Sequence, residues 1–122
     1  MTRDLRCLDY LGHIQEAIER IHHYVADIDE LAFLDSKLVQ DAVIRNIEII
    51  GEASHNIELH FPEFVRSHPE LPLAFAYQMR NVVAHGYFKV DLEIVWKTIH
   101  TDLPRLCEQV KEIRLAIDSG GA

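Results

Sequence analysis

The stretch from Arg80 to Tyr87 places an arginine, a histidine and a tyrosine within eight consecutive residues. Arginine is the side chain best shaped to bind a phosphate, because its planar guanidinium can donate two parallel hydrogen bonds. Histidine can give and take a proton near neutral pH. The pair of Arg80 and His85 therefore suggests phosphodiester chemistry that needs no metal ion.

The charge pattern around this stretch supports the same chemistry. The chain carries a net charge of −8 at pH 7, yet no carboxylate occurs between Glu70 and Asp91. Arg80, His85 and Lys89 are therefore expected to form a local island of positive potential. The negative total argues against broad, non-specific binding of nucleic acid, because such proteins usually carry an excess of Lys and Arg. Any contact with RNA should be local.

The spacing within the stretch limits how the side chains can meet. Arg80 and His85 lie five residues apart, which on a regular helix is about 140° around the axis. Asn81 and His85 lie four apart and share a face. Gly86 is a natural helix end, because glycine readily adopts left-handed geometry, so Tyr87 falls in the following loop. The motif therefore needs its helix terminus, and a second copy, to assemble a site.

Helical periodicity runs through almost the whole sequence, and no strand pattern occurs. A long first helix is predicted from about residue 3 to 27, and a second helix begins near Ser36, a plausible N-cap. A short helical turn should follow Pro62, since proline suits a first helical turn. The remaining predicted helices are 73–85 and 91–117, the latter kinked or broken by Pro104 near residues 101–103.

These elements predict an all-α fold, an up-and-down bundle of four to five helices that dimerises. The second helix is apolar on two faces, one with Val43 and Ile47 and another with Leu38 and Ala42. Such a helix lies at the centre of a bundle or is covered by a second subunit. We expect one domain over residues 1–117 and a frayed tail at 118–122.

The cysteines and the N-terminus indicate the compartment. Cys7 and Cys107 lie near opposite ends of the chain and form no zinc-binding spacing, so they read as buried or free thiols in a reducing environment. The N-terminus lacks the apolar stretch of a signal peptide, and no apolar run is long enough to cross a bilayer. A cytoplasmic protein without a membrane partner is predicted.

The pattern Arg-x4-His-x-Tyr resembles the signature of HEPN ribonucleases, and specifically the HepT-like toxins of bacterial and archaeal toxin–antitoxin pairs. The resemblance covers nearly the whole chain. The chain departs from the family pattern at two positions. Family members often have Trp at the position of Leu73, and many have a basic residue at the position of Val83. The matching segments are the second-helix runs 40–46 and 49–53, the connector 68–72 and the core 79–96.

The resemblance implies a metal-independent endoribonuclease without cofactors that acts at the interface of a homodimer. His85 would serve as general base toward the ribose 2′-hydroxyl or as acid toward the leaving oxygen. Arg80 would stabilise the negative charge at phosphorus, and Asn81 would orient the imidazole or donate to phosphate. Lys89 and Arg45 are weaker candidates for binding the RNA substrate.

The resemblance also implies a partner, a small nucleotidyltransferase that acts as antitoxin in a type II- or type VII-like pair. Members of the group are silenced by AMP transfer to the motif tyrosine, which here is Tyr87. Bulk and negative charge beside Arg80 would repel the RNA backbone. This chain carries no nucleotidyltransferase signature, so it resembles the toxin. The alternative is a non-catalytic helical partner that presents a substrate to a nucleotidyltransferase.

Each motif residue also has a purely structural interpretation. Arg80 could form a surface salt bridge, for example to Glu70, and His85 could cap a helix C-terminus. Tyr87 could pack its ring against the bundle, and Asn81 could make only structural hydrogen bonds. The other histidines lack metal-ligand spacing. Core or dimer-interface positions are expected for the large aromatic residues Phe88 and Trp96.

Overall fold

The computed structural model describes residues 2–85 and 91–120, and the side chains of residues 6–83 and 91–118. All the regular structure in these residues is helical, which confirms the predicted all-α class. These residues form one helix more than the predicted maximum, because a short helix lies between the first two predicted helices. The six helices are α1 (Thr2–Val25), α2 (Glu30–Leu34), α3 (Lys37–His60), α4 (Pro62–Ser67), α5 (Leu73–His85) and α6 (Leu92–Gly120).

Polar side chains cap the starts of three helices. Ser36 Oγ accepts a hydrogen bond from the amide of Val39 at 3.2 Å, which confirms the predicted N-cap of α3. Asp29 accepts from the amide of Ala32 at 2.9 Å at the start of α2. Asp91 accepts from two amides of the first turn of α6, at 3.1 and 3.2 Å. Each cap satisfies backbone donors that have no partner within the helix.

Helix α2 is held in place by tertiary contacts. Gln40 Nε2 donates to the carbonyl oxygens of Phe33 at 2.9 Å and of Leu34 at 3.1 Å. A side chain of α3 thus supplies hydrogen-bond donors to the carbonyl groups at the C-terminal end of α2. The Phe33 ring is fully buried, with its centroid 5.3 Å from the indole of Trp96. The contact places Trp96 against the core, as expected. A five-residue helix is too short to show periodicity, which explains why the sequence did not reveal it.

Helix α3 is the centre of the bundle. It packs against α1 on one side and α5 on another, and α1 also packs against α6. This confirms the prediction from its two apolar faces, although Leu38 at its start is 81% exposed. The buried α3 side chains that form the middle of the core include Val43, Ile47, Ile50, Ala53 and Ile57.

Helices α5 and α6 carry the motif region and the chain beyond it. Helix α5 has the predicted bounds, whereas the predicted end at Gly86 lies outside the described residues. The predicted break near Pro104 is wrong, since α6 runs through that residue without interruption. Proline removes one backbone donor, and buried Leu103 and Leu106 anchor the helix on both sides. Helix α6 reaches Gly120, three residues beyond its predicted end.

Cys7 and Cys107 are both buried, and burial raises the pKa of the Cys107 thiol because water no longer stabilises its charged form. Within residues 2–85 and 91–120, no helix combines the length and hydropathy that crossing a bilayer requires.

Candidate functional site

Arg80 is the motif residue whose surroundings are defined most fully. Its Nη2 lies 3.3 Å from Glu52 Oε2, and its Nη1 donates to Asn81 Oδ1 at 3.2 Å. The side chain is 32% exposed. A guanidinium has five N–H donors, and among the described residues Glu52 and Asn81 are the acceptors. Arg80 is thus held in orientation while donors remain to bind a phosphate.

The acidic partner of Arg80 differs from the one expected from the sequence. The structural interpretation proposed Glu70 as the partner of a salt bridge, and the ion pair forms with Glu52 of α3. The run without carboxylates along the chain does not leave Arg80 without an acidic neighbour, because the fold brings Glu52 to its guanidinium, while the side chains of His85 and Lys89 lie outside the described part of the structure. Glu52 is 60% exposed, so water screens the pair and its effect on stability is small.

Gly51 explains how Arg80 comes so close to α3. A Cβ placed on Gly51 would overlap the Cβ of Arg80, and it would lie 2.8 Å from Arg80 Cγ and 3.1 Å from the carbonyl oxygen of Ala76. Any larger residue would therefore push α5 away from α3. Glycine within a helix costs about 0.5–1 kcal/mol relative to alanine. A glycine at this position is a sequence signal for close helix approach.

Arg80 lines an open cleft between α1, α3 and α5, with a volume of about 350 Å³. Arg45, a weaker candidate from the sequence, lines the same cleft, so the fold brings together two arginines that are 35 positions apart in the chain. Among the described residues Arg45 has no ion pair or hydrogen-bond partner. The other lining residues are Tyr10, His13, Glu48, Ile49, Glu52, Ala53 and Asn56.

The α1 side of the cleft was missed by the sequence analysis. Tyr10 and His13 lie one helical turn apart, and their ring centroids are 6.1 Å apart with planes at 86°. The guanidinium of Arg6 donates from Nη2 to the Tyr10 hydroxyl at 3.2 Å. The spacing of Tyr10 and His13 puts both rings beside the apolar stripe of α1. No local sequence pattern indicates which other helix the two rings face.

The remaining motif residues are described only in part. Asn81 is half-buried and accepts from Arg80, so its carbonyl oxygen supports the arginine. His85 is the last residue of α5, and its side chain lies outside the described part of the structure. Tyr87 and Lys89 also lie outside the described residues, as does Phe88. The described residues contain no group of three or more His, Cys, Asp or Glu side chains arranged to hold a metal.

A second cavity, of about 410 Å³, lies between α3, α5 and α6. Apolar side chains form most of its walls, with Phe75 and Met79 on the α5 side. Gln109 contributes a buried Oε1 without a hydrogen-bond partner, while its Nε2 donates to the carbonyl of Glu70 at 3.2 Å. Arg80 does not line this cavity, so the two concave surfaces are separate.

Comparisons with known proteins agree on one family. A family model described as "Ribonuclease HepT-like" matches residues 14–113. A "Probable ribonuclease HepT" of Thermococcus cleftensis is 44% identical over 106 residues, which cover 87% of this chain and 94% of the relative. A "Putative RNase" of Caldanaerobacter subterraneus subsp. tengcongensis is 36% identical over 104 residues, 85% of this chain and 90% of the relative.

One relative is a longer protein. A "Gamma-glutamylcyclotransferase and putative RNase" of Methanocaldococcus jannaschii is 40% identical over 118 residues, 97% of this chain. This chain spans only 51% of that relative's length. No solved structure matches this chain.

Proposed function

This chain belongs to the HepT-like ribonuclease family, and we propose that it is an endoribonuclease toxin that cuts RNA in the cleft lined by Arg80. The observation that carries the proposal is the double restraint on this arginine by Glu52 and Asn81. An arginine fixed at the edge of a cleft, with donors remaining, suits a phosphate group. Arg45 adds a second cation to the same cleft.

The reaction requires a proton acceptor, a proton donor and stabilisation of charge at phosphorus. His85 takes the proton of the ribose 2′-hydroxyl, whose oxygen attacks the phosphorus, or gives a proton to the departing 5′-oxygen. Arg80 donates to the non-bridging oxygens, which carry the increased negative charge of the transition state. A positioned general acid or base contributes typically about 10²–10⁴ in rate. Neither role calls for a metal ion.

We propose that two copies of the chain form the complete site. One copy supplies one arginine and one histidine of the motif, separated by about 140° on a regular helix. The apolar residues Phe75, Met79 and Val82 recur along α5 at helical spacing, and Phe75 and Val82 are 40% and 56% exposed. A second copy packed on this stripe would place two motif helices side by side. The motif of one chain is then half of the site.

The proposed regulator is a nucleotidyltransferase antitoxin that transfers AMP to Tyr87. Tyr87 follows the end of α5 by two residues and Arg80 by seven, so it is near the site along the chain. A nucleotidyl group there would add negative charge and bulk close to the phosphate-binding arginine, and the RNA backbone would be repelled.

The decisive experiment expresses the chain alone and measures cell growth and RNA cleavage, with His85→Ala as the variant. We expect wild type to stop growth and to cut RNA in the presence of EDTA, and His85→Ala to lose both activities while its helical content is unchanged. His100→Ala is the matched control, because His100 is an exposed histidine of α6 that bonds only within its own helix.

The outcomes separate the proposal from its competitor. Retained toxicity of His85→Ala, or loss of cleavage in EDTA, would contradict the proposed chemistry. A wild-type chain that neither cuts RNA nor slows growth would instead favour a non-catalytic partner that presents a substrate to a nucleotidyltransferase.

A further inference from the structure

Two aromatic rings of α1, Tyr10 and His13, line the same cleft as Arg45 and Arg80. A phosphate alone would bind to the arginines and would not require these rings. A nucleobase, in contrast, stacks on aromatic side chains whatever its identity, because every base has a π-face. The cleft therefore offers groups for both parts of a nucleotide, cations for its anionic phosphate and aromatic rings for its flat base.

Two contacts within the chain restrain the Tyr10 ring. Its hydroxyl accepts from Arg6 Nη2 at 3.2 Å, and its centroid lies 6.4 Å from that of buried Phe61, with planes at 62°. A preorganised ring loses little conformational entropy on binding, which favours affinity. The His13 ring stands at 86° to Tyr10 and is exposed. A base stacked on Tyr10 would thus meet the imidazole as a hydrogen-bonding group.

The charges of the cleft match one nucleotide better than a run of phosphates. Arg45 and Arg80 are balanced formally by Glu48 and Glu52. Arg80 is paired with Glu52 at 3.3 Å, whereas Arg45 has no ion pair with any described residue. The cleft volume of about 350 Å³ lies within the range typical of small-molecule sites. One cation that has no ion pair within the described part of the chain suits one additional phosphate.

We propose that this cleft is a subsite for one nucleotide of the RNA, next to the phosphate that is cut. Tyr10 stacks the base, and His13 hydrogen-bonds a polar atom of the nucleotide. Arg45 binds the outer phosphate of that nucleotide, while Arg80 binds the scissile phosphate. The inference rests on the proposed function, but it leaves the proton transfers to His85 and concerns binding alone.

The first test is an NMR titration of the wild-type protein with AMP and with ribose 5-phosphate, which carries the same phosphate without a base. We expect the ring signals of Tyr10 and His13 to shift with AMP and to respond much less to ribose 5-phosphate. His23 and Tyr24 are the internal control, because they form a similar exposed ring pair farther along α1, with centroids 6.4 Å apart.

Two results of the titration would contradict the proposed subsite. An equal response of Tyr10 and His13 to both ligands would overturn base stacking. An equal response of His23 and Tyr24 to AMP would show that stacking is not confined to the cleft, and would overturn the subsite as well. The titration does not depend on RNA cleavage, so it decides on the subsite even if the proposed activity fails.

The second test measures RNA cleavage by variants of Tyr10. Loss of one base stack should raise KM about 10-fold in Tyr10→Leu with kcat nearly unchanged. Tyr10→Phe keeps the ring but loses the hydrogen bond from Arg6, so its KM should stay much closer to the wild-type value than that of Tyr10→Leu. Tyr24→Leu is the matched control. A wild-type KM in Tyr10→Leu, with thermal unfolding confirming that it is folded, would overturn the subsite.

Discussion

Arg80 Nη2 lies 3.3 Å from Glu52 Oε2, and the residue just before Glu52 is the glycine against which Arg80 packs. Helix α3 thus supplies two things in consecutive positions, the space for the arginine and the carboxylate that orients it. Gly51 allows the backbones of α3 and α5 to approach, and Glu52 then restrains the guanidinium. The position of the Arg80 guanidinium therefore depends on a helix that lies outside the motif.

Glu52 should act as a positioning residue for Arg80. We expect Glu52→Gln to lower kcat for RNA cleavage about 10-fold and Glu52→Ala about 100-fold, because small misplacements of a catalytic group have effects of this size. The glutamine oxygen can still accept from Arg80, so its effect should be the smaller one. Thermal unfolding should change little, since a largely exposed ion pair contributes about 0–1 kcal/mol.

Glu48 provides the control for this series, because it lines the same cleft one helical turn earlier and forms no ion pair with Arg80. Glu48→Gln removes a negative charge that repels RNA and should lower KM while kcat is unchanged. If Glu52→Gln behaves in the same way as Glu48→Gln, Glu52 is only a repelling charge and the positioning role is wrong.

Gly51→Ala should displace Arg80 and loosen the contact between α3 and α5. The added methyl group gains about 0.5–1 kcal/mol of helix propensity but overpacks the contact, which typically costs about 1–3 kcal/mol. We therefore expect a net loss of about 1 kcal/mol in the free energy of unfolding, measured with urea, and a fall in kcat larger than that of Glu52→Gln.

Gly12→Ala is the matched glycine variant, because a Cβ at Gly12 would meet the Arg114 guanidinium at 3.6 Å, an ordinary contact. It should be neutral or stabilise the protein by about 0.5–1 kcal/mol through helix propensity. Equal effects of the two alanine substitutions on stability and kcat would refute the importance of close approach at Gly51.

Val82→Asp should dissociate the proposed dimer and abolish most cleavage, because a carboxylate would be buried against the second copy without a partner. Sedimentation velocity gives the mass in solution, and cleavage is measured on the same sample. Leu38→Asp is the control, since Leu38 is 81% exposed at the start of α3 and lies outside the α5 stripe. A wild-type mass for Val82→Asp would exclude the α5 stripe as the interface.

Co-expression with a nucleotidyltransferase of the proposed antitoxin class should add one AMP to Tyr87. Mass spectrometry of the purified chain measures the gain and, after proteolysis, the modified residue. Tyr87→Phe should lack the gain and remain toxic in the presence of the partner. Tyr77→Phe is the control, because Tyr77 belongs to the same helix as the motif and its ring stacks on His55 with centroids 4.2 Å apart. Modification at another residue would contradict the proposed regulation.

Local signals predicted most of the helices. The N-cap at Ser36 and the bounds of α5 follow from side chains and turn residues within a few positions of the helix ends. Helix α2 has only five residues, too few to show periodicity, and its end is stabilised by Gln40, a residue of the next helix. The expected break at Pro104 failed for a similar reason, since core contacts on both sides outweigh one missing hydrogen bond.

The sequence by itself determined the helical class, the family and the chemical identity of the motif residues, because periodicity and motif spacing are local properties of the chain. Only the tertiary structure decided that Arg80 faces Glu52 and shares a cleft with Arg45 and Tyr10. A 3.6-residue repeat shows which face of each helix is apolar, but not which polar residues of separate helices meet. For Arg80, the pairing with Glu52 is set by the close contact of α3 and α5 at Gly51.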